Sequence, residues 1–191
     1  MNKTYFEDQV FEKVNFSETT MDKGDYEQCR FEYCDFSNAD LKNIHFYKCT
    51  FNECNLSMVN VAAVAMKDVQ FTSCKMLGVH FENCSDFMFQ VGFNNCVLNL
   101  SSFYKRQLKK AIFRGCTLHE VDFTDADATA AVFDNCDLTG AIFQDTVLEK
   151  ADLRTAYNFS INPDINKIKK ARFSVHGLVG LLDKYQLDIQ L

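Results

Sequence analysis

From Phe6 onward every fifth residue is apolar. The series runs Phe6, Phe11, Phe16, Met21, Tyr26, Phe31 and on to Phe81, sixteen positions without a break. It slips by two residues within 86–90, resumes at Phe93 and holds for thirteen more positions to Leu153. With 47% apolar residues in the chain, 29 matches in 29 positions arise by chance on the order of 10⁻¹⁰. A second column lies two residues before each centre. It is Ala, Val, Ile, Cys, Thr, Ser or Gly in 27 of 29 cases, Gln9 and Arg106 being the exceptions. The other three positions of each quintet are largely polar.

A period of five is neither the 3.6 of a helix nor the 2 of a strand. One large and one small inward position per quintet fits a chain that turns a corner every five residues. Four such sides close a square coil of twenty residues, and coils stack by backbone pairing about 4.8 Å apart. Each coil then buries its interior only against its neighbours, as solenoids do. Residues twenty apart support this. Phe11, Phe31, Phe51 and Phe71 form one column, and Phe103, Phe123 and Phe143 another. Cys34, Cys54 and Cys74 form a third, and Cys96, Cys116 and Cys136 a fourth. The expected fold is all-β, with seven to eight coils in a rod roughly 36 Å long.

Stretches such as CDFSNADLKN (34–43), CNLSM (54–58), EVDFTDAD (120–127) and CDLTGAIF (136–143) resemble the A(D/N)LXX grammar of the pentapeptide-repeat family. The resemblance covers residues 4 to 155 and implies a right-handed quadrilateral β-helix. Residues 155–170 lose the pattern, but Phe173 returns twenty residues after Leu153, which predicts one irregular coil. The β-helix is therefore expected over 1–175. Phe87 and Phe89 fall outside the frame at the slip and are expected to pack over a bulge.

Residues 176–191 form a different tail. Leu178, Leu181, Leu182 and Tyr185 follow the spacing of an amphipathic helix, and QLDIQL (186–191) alternates like a strand. An open solenoid end invites pairing. This helix and strand would cover it in cis or across a two-fold dimer. Such a tail after an ARFS-like repeat resembles the Qnr-type quinolone-resistance and microcin-immunity members. That resemblance implies a homodimer, here through Leu178, Leu181, Leu182, Tyr185, Leu187 and Ile189.

Composition narrows the function classes. A net charge of −6 disfavours wholesale binding to nucleic acid or an anionic membrane. No apolar run is long enough to span a bilayer. The start, MNKTYFEDQVF, lacks the apolar core of a signal peptide, which predicts a cytoplasmic, reducing compartment. All nine cysteines lie on the small inward column, so they are expected to be buried free thiols. No CxxC, GxGxxG, P-loop or HExxH occurs, and His45, His80 and His119 point outward without a nucleophile beside them. The expectation is a protein without catalytic residues, cofactor or metal.

Charge is segregated in the second half. Lys105 to Arg114 carries five bases and no acid, whereas Glu120 to Glu149 carries eight acids and no base. Arg106, nominally inward, is expected to swing outward, or to join Lys105, Lys109, Lys110 and Arg114 in a basic patch. Characterised family members with this tail act as DNA mimics on type II topoisomerases, protecting gyrase from quinolones or peptide toxins. By that resemblance the candidate partner-binding acids are Asp122, Asp125, Asp127, Asp134, Asp137 and Asp145. The other reading is a structural or interaction scaffold with a different partner.

Overall fold

Residues twenty apart lie side by side in a computed structural model that describes residues 4–87 and 89–188. On one side of the coil Thr4–Glu7, Gly24–Glu27, His45–Tyr47 and Ala65–Lys67 pair in parallel. The next side carries nine parallel strands, from Val10–Glu12 at one end to Arg172–Phe173 at the other. Isolated parallel bridges join the remaining two sides, for example Asp35 to Asn55 and Ser102 to Asp122. The result is a four-sided β-solenoid of about 8 turns, as the quintet pattern predicts.

Two local devices turn the corners. The residue two after a centre takes a left-handed φ, such as 53° at Asp8, 57° at Asn38 and 58° at Asp125. Asn and Asp tolerate that region best among side-chain-bearing residues. The Asp or Asn just before a centre accepts the backbone N–H two residues on. Asp35 takes Ser37 N at 2.8 Å, Asp122 takes Thr124 N at 2.8 Å, and Asp127 takes Thr129 N at 3.0 Å. These closures explain why the sequence so often reads acid or amide, centre, Ser or Thr.

The interior is a stack of rings. Phe31 and Phe51 stack with centroids 4.6 Å apart, Phe51 and Phe71 at 5.0 Å, and Phe113 and Phe133 at 5.1 Å. A perpendicular ladder runs Phe81, Phe103, Phe123 and Phe143 at 4.6, 5.5 and 5.1 Å. The two ladders meet edge to face, as at Phe123 and Phe133. Parallel and edge-on contacts both suit the ring quadrupole, which is why one ring type fills this core.

The frame slip is real. Val69 pairs with Val91 and Phe71 with Phe93, so two residues beyond the usual twenty are accommodated between them. Phe89 is buried edge-on against Phe81, as expected, but Phe87 stands 68% exposed.

Arg106 departs from both sequence expectations. It does not swing outward, and it joins no basic patch. Its side chain is 3% exposed. It donates to the carbonyl of Cys84 at 3.1 Å, the carbonyl of Ser85 at 2.9 Å and Asp86 Oδ1 at 2.7 Å. The guanidinium also lies over the Phe89 ring, 4.2 Å from its centroid. The bulge leaves carbonyls that no regular coil pairs, and a planar five-donor group satisfies them.

Beyond Leu153 the chain makes one more turn. Tyr157 bridges to Asp137, Lys167 to Val147, and Phe173 pairs with Leu153. Asn166 is buried in the small column, accepting from Thr146 N and donating to the carbonyl of Phe143, both at 2.9 Å. The tail folds back over this last turn as two short 3₁₀ helices, His176–Leu181 and Asp183–Tyr185, where the spacing suggests a regular helix. Gly177 and Gly180 lower helix propensity there. Gly180 is required by contact, since a Cβ would collide with the carbonyl of Phe159. Gly180 in turn accepts Ile161 N at 2.9 Å, and Lys184 pairs with Asp164. Residues 186–188 form no strand, because Gln186 turns to a left-handed φ of 48°. Ile189 lies outside the described residues.

Candidate partner-binding site

The six candidate acids do not converge. Asp122 bridges Ser102 and Ile142 on one side of the rod, and Asp127 bridges Gln107 and Val147 on the next. Asp134 lies on the nine-stranded sheet beside Arg114, and Asp137 bridges Thr117 and Tyr157 on the fourth side. Asp125 and Asp145 are exposed left-handed corner residues twenty apart, on the edge adjoining the side of Asp122. Only these three share one edge.

Their electrostatic states differ as well. Asp127 lies 3.1 Å from Lys109 Nζ, Asp134 accepts from Arg114 Nε at 3.1 Å, and Asp137 lies 2.9 Å from His119 Nε2. Burial works against the charge of Asp137, but hydrogen bonds from Thr139, His119 and Asn158 outweigh it and hold the carboxyl at about 2. Among the described residues no ion pair reaches Asp122, Asp125 or Asp145. The basic run at 105–114 is thus spent partly on the coil beyond it. The Arg114–Asp134 pair was legible in the sequence, since partners twenty apart must be neighbours. Lys105, twenty before Asp125, sits 4.7 Å over the Tyr104 ring.

The other chemistry-bearing groups are absorbed by the fold. All nine cysteines are buried and unpaired by disulfides. The Cys54 thiol donates to the carbonyl of Phe31 and that of Cys74 to the carbonyl of Phe51, both at 3.3 Å. Burial pushes the Cys49 and Cys84 thiols up to about 12. His45 pairs with Asp25 at 3.0 Å and His80 with Glu82 at 2.8 Å. Among the described residues no cluster of His, Cys, Asp and Glu could hold a metal ion. No helix of the described residues is long and apolar enough to cross a membrane.

The candidate dimer residues divide by orientation. Leu181 packs partly buried against the core. Leu178, Leu182, Tyr185 and Leu187 face outward, Tyr185 at 55% and Leu187 at 56% exposure.

Comparison with known proteins agrees with this architecture. A trypsin-treated variant of QnrB1, a plasmid-mediated fluoroquinolone resistance protein, superposes with a TM-score of 0.51 at 18% identity, covering 98% of each chain. Full-length QnrB1 gives 0.51 at 15% identity over 96% of this chain and 100% of its own. HetL from the cyanobacterium Nostoc gives 0.42 at 16% identity over 92% of this chain and 86% of its own. At 15–18% identity the likeness to QnrB1 is one of fold alone. No curated protein matches. The family model described as "Pentapeptide repeat region" matches residues 24–85 and 86–156, meeting at the bulge. With most of its length so matched, this chain belongs to the pentapeptide-repeat family.

Proposed function

We propose that the chain is a non-enzymatic binding protein that offers the edge formed by Asp122, Asp125 and Asp145 to a basic protein surface. In this reading the surface is the DNA-binding groove of a type II topoisomerase such as gyrase, and the rod stands in for duplex DNA. A groove that binds DNA must be basic, and carboxylates fixed on a rigid rod match it. The observation that carries the reading is the corner column itself. Asp125 and Asp145 are exposed, and no ion pair of the described residues engages them. Kinship in fold with QnrB1 makes quinolone protection the first activity to test. A homodimer through Leu178, Leu182, Tyr185 and Leu187 belongs to the same reading, because these apolar side chains surround a tail that already caps its own coil.

One observation favours a different partner. Asp127, Asp134 and Asp137 are engaged by bases of the same chain and lie on other sides. A scaffold that binds another protein needs no continuous acidic face. Gyrase supercoiling with and without a quinolone separates the two readings. Mimicry predicts protection that falls with salt, competes with duplex DNA, and is lost in the triple variant Asp122→Lys, Asp125→Lys, Asp145→Lys with the fold intact. Absence of gyrase binding, or binding indifferent to the triple variant, selects the scaffold reading.

A further inference from the structure

One side of the rod gathers lysines toward its C-terminal end. Gln107, Asp127, Val147 and Lys167 follow one another along that side by parallel bridges. Its far edge is the corner column Lys110, Ala130, Lys150 and Lys170, with left-handed φ between 57° and 61°. Lys109 and Lys169 stand immediately before two of these corners, and all six lysines are exposed. Lys109 lies 3.1 Å from Asp127. Among the described residues no ion pair or side-chain hydrogen bond engages the other five.

The density of this charge is that of a nucleic-acid strand with the sign reversed. Residues 107–110, 127–130, 147–150 and 167–170 of this side hold six bases and two acids, net +4. Three coil steps of about 4.8 Å spread it over about 14 Å, one charge per about 3.6 Å. One strand of duplex DNA carries a phosphate per about 3.4 Å of helix axis. Before Lys110 the edge runs into a cleft of about 260 Å³ lined by the amides of Gln70, Gln90 and Gln107, which can donate to phosphate oxygens. Asp68, two coils before Lys110 on the same edge, also lines it and ends the basic stretch.

The layout of the side selects among polyanions. It begins at the corner residues Asp125 and Asp145 and ends at the lysine column. A flat anionic membrane laid on it would meet both edges and be repelled by the acids. A narrow polyanion lies along the lysine edge alone. No aromatic residue occurs in the four stretches, so unstacked bases find no platform there. Lysine is a flexible point charge, suited to backbone phosphates and not to reading base edges.

We propose that this lysine edge holds the phosphate backbone of duplex DNA along one strand, without sequence preference. The whole-chain charge of −6 opposes the approach, so the contact is weak and strongest at low salt. The proposal stands apart from the topoisomerase reading, which uses the opposite edge of this side. Its test is fluorescence anisotropy of a short labelled duplex of random sequence with the full-length protein. Log affinity should fall against log salt with a slope of about −3 to −4, four phosphates being neutralised. Lys150→Gln with Lys169→Gln and Lys170→Gln should weaken binding more than about tenfold at low salt and flatten the slope to about −1. Unchanged thermal melting checks that this variant remains folded. Asp125→Asn with Asp145→Asn should strengthen the duplex contact, whereas mimicry predicts that it weakens binding to a topoisomerase. No binding at low salt, affinity and slope indifferent to the lysine variant, tighter binding of the single strand, or displacement of the duplex by polyglutamate at equal charge would each overturn the assignment. None of these outcomes depends on gyrase binding.

Discussion

Arg106 reaches back twenty residues to Asp86, with its Nη1 2.7 Å from Oδ1, and its remaining bonds close the carbonyls of Cys84 and Ser85. The two ends of this contact are unequal. The arginine is buried, while the Asp86 side chain is fully exposed. Arg106→Ala leaves a void and two unpaired carbonyls, so it should cost about 2–4 kcal/mol. Asp86→Ala removes only an exposed ion-pair partner and should cost less than about 1 kcal/mol. Chemical denaturation of both variants measures the difference, and equal losses would mean that the aspartate, not the carbonyls, holds the bulge.

Phe123 is fully buried, stacked on Phe103 and Phe143 and edge-on to Phe113 and Phe133. Phe123→Ala should destabilise the rod by about 3–5 kcal/mol. A change under about 1 kcal/mol in a melting experiment would contradict close packing of the two ring ladders.

The thiols should be silent in the folded protein. All nine are buried, which denies a reagent access, and burial also holds Cys49 and Cys84 up at about 12, so those two carry almost no thiolate at pH 8. Titration with a disulfide reagent is expected to find few reactive groups in the native protein and nine in denaturant. Rapid modification of most cysteines in the native state would contradict the inward column.

Asp137 ties acid stability to one turn. Its carboxyl titrates at about 2 when folded, against about 3.9 in an unfolded chain. A depressed folded value contributes stability that is complete above the unfolded pKa and lost as pH falls through the folded one. Allowing for solvent screening, the contribution is about 1–2 kcal/mol, lost between roughly pH 4 and 2. Asp137→Asn should lack that part of the acid transition. Parallel acid curves for the two proteins would show that the hydrogen bonds from Thr139, His119 and Asn158 do not distinguish the charged form.

The outward apolar residues of the tail should hold two copies together. Leu178→Asp with Leu182→Asp changes side chains that face solvent in one chain, so the coil beneath stays capped by Leu181. Light scattering should give a dimer for the native protein and a monomer for the variant. A native monomer at micromolar concentration would end the dimer proposal.

The fold was legible because its rule is one-dimensional. Each centre must be large and each preceding inward residue small, and both conditions recur at a fixed spacing in the sequence. The acids were harder to read. Asp122, Asp127 and Asp137 obey the same rule, since each closes a turn through Thr124, Thr129 or Thr139. Their presence therefore reports coil geometry before it reports a partner. Arg106 escaped for the opposite reason. An arginine in a small inward column looks like an error until the bulge supplies three acceptors for it, and those acceptors exist only once the coil above has slipped. The tail's stripe was visible, but the 3₁₀ geometry follows from Gly180 fitting against Phe159, a contact no spacing encodes.

A ladder of near-identical coils has a weakness that most folds do not share. A shift of twenty residues would leave every inward side chain inward, so the stripe pattern alone does not forbid pairing one coil too early or too late. The two-residue bulge removes that degeneracy. Among the described residues one coil alone is lengthened, between Val69 and its partner Val91, and Arg106 alone donates to the carbonyls of Cys84 and Ser85 there. A chain paired one coil out would bury that guanidinium against a regular corner with its donors unmet, at a cost of several kcal/mol. The interruption in the repeat thus acts as the notch of a key, setting the count from which every other coil takes its place.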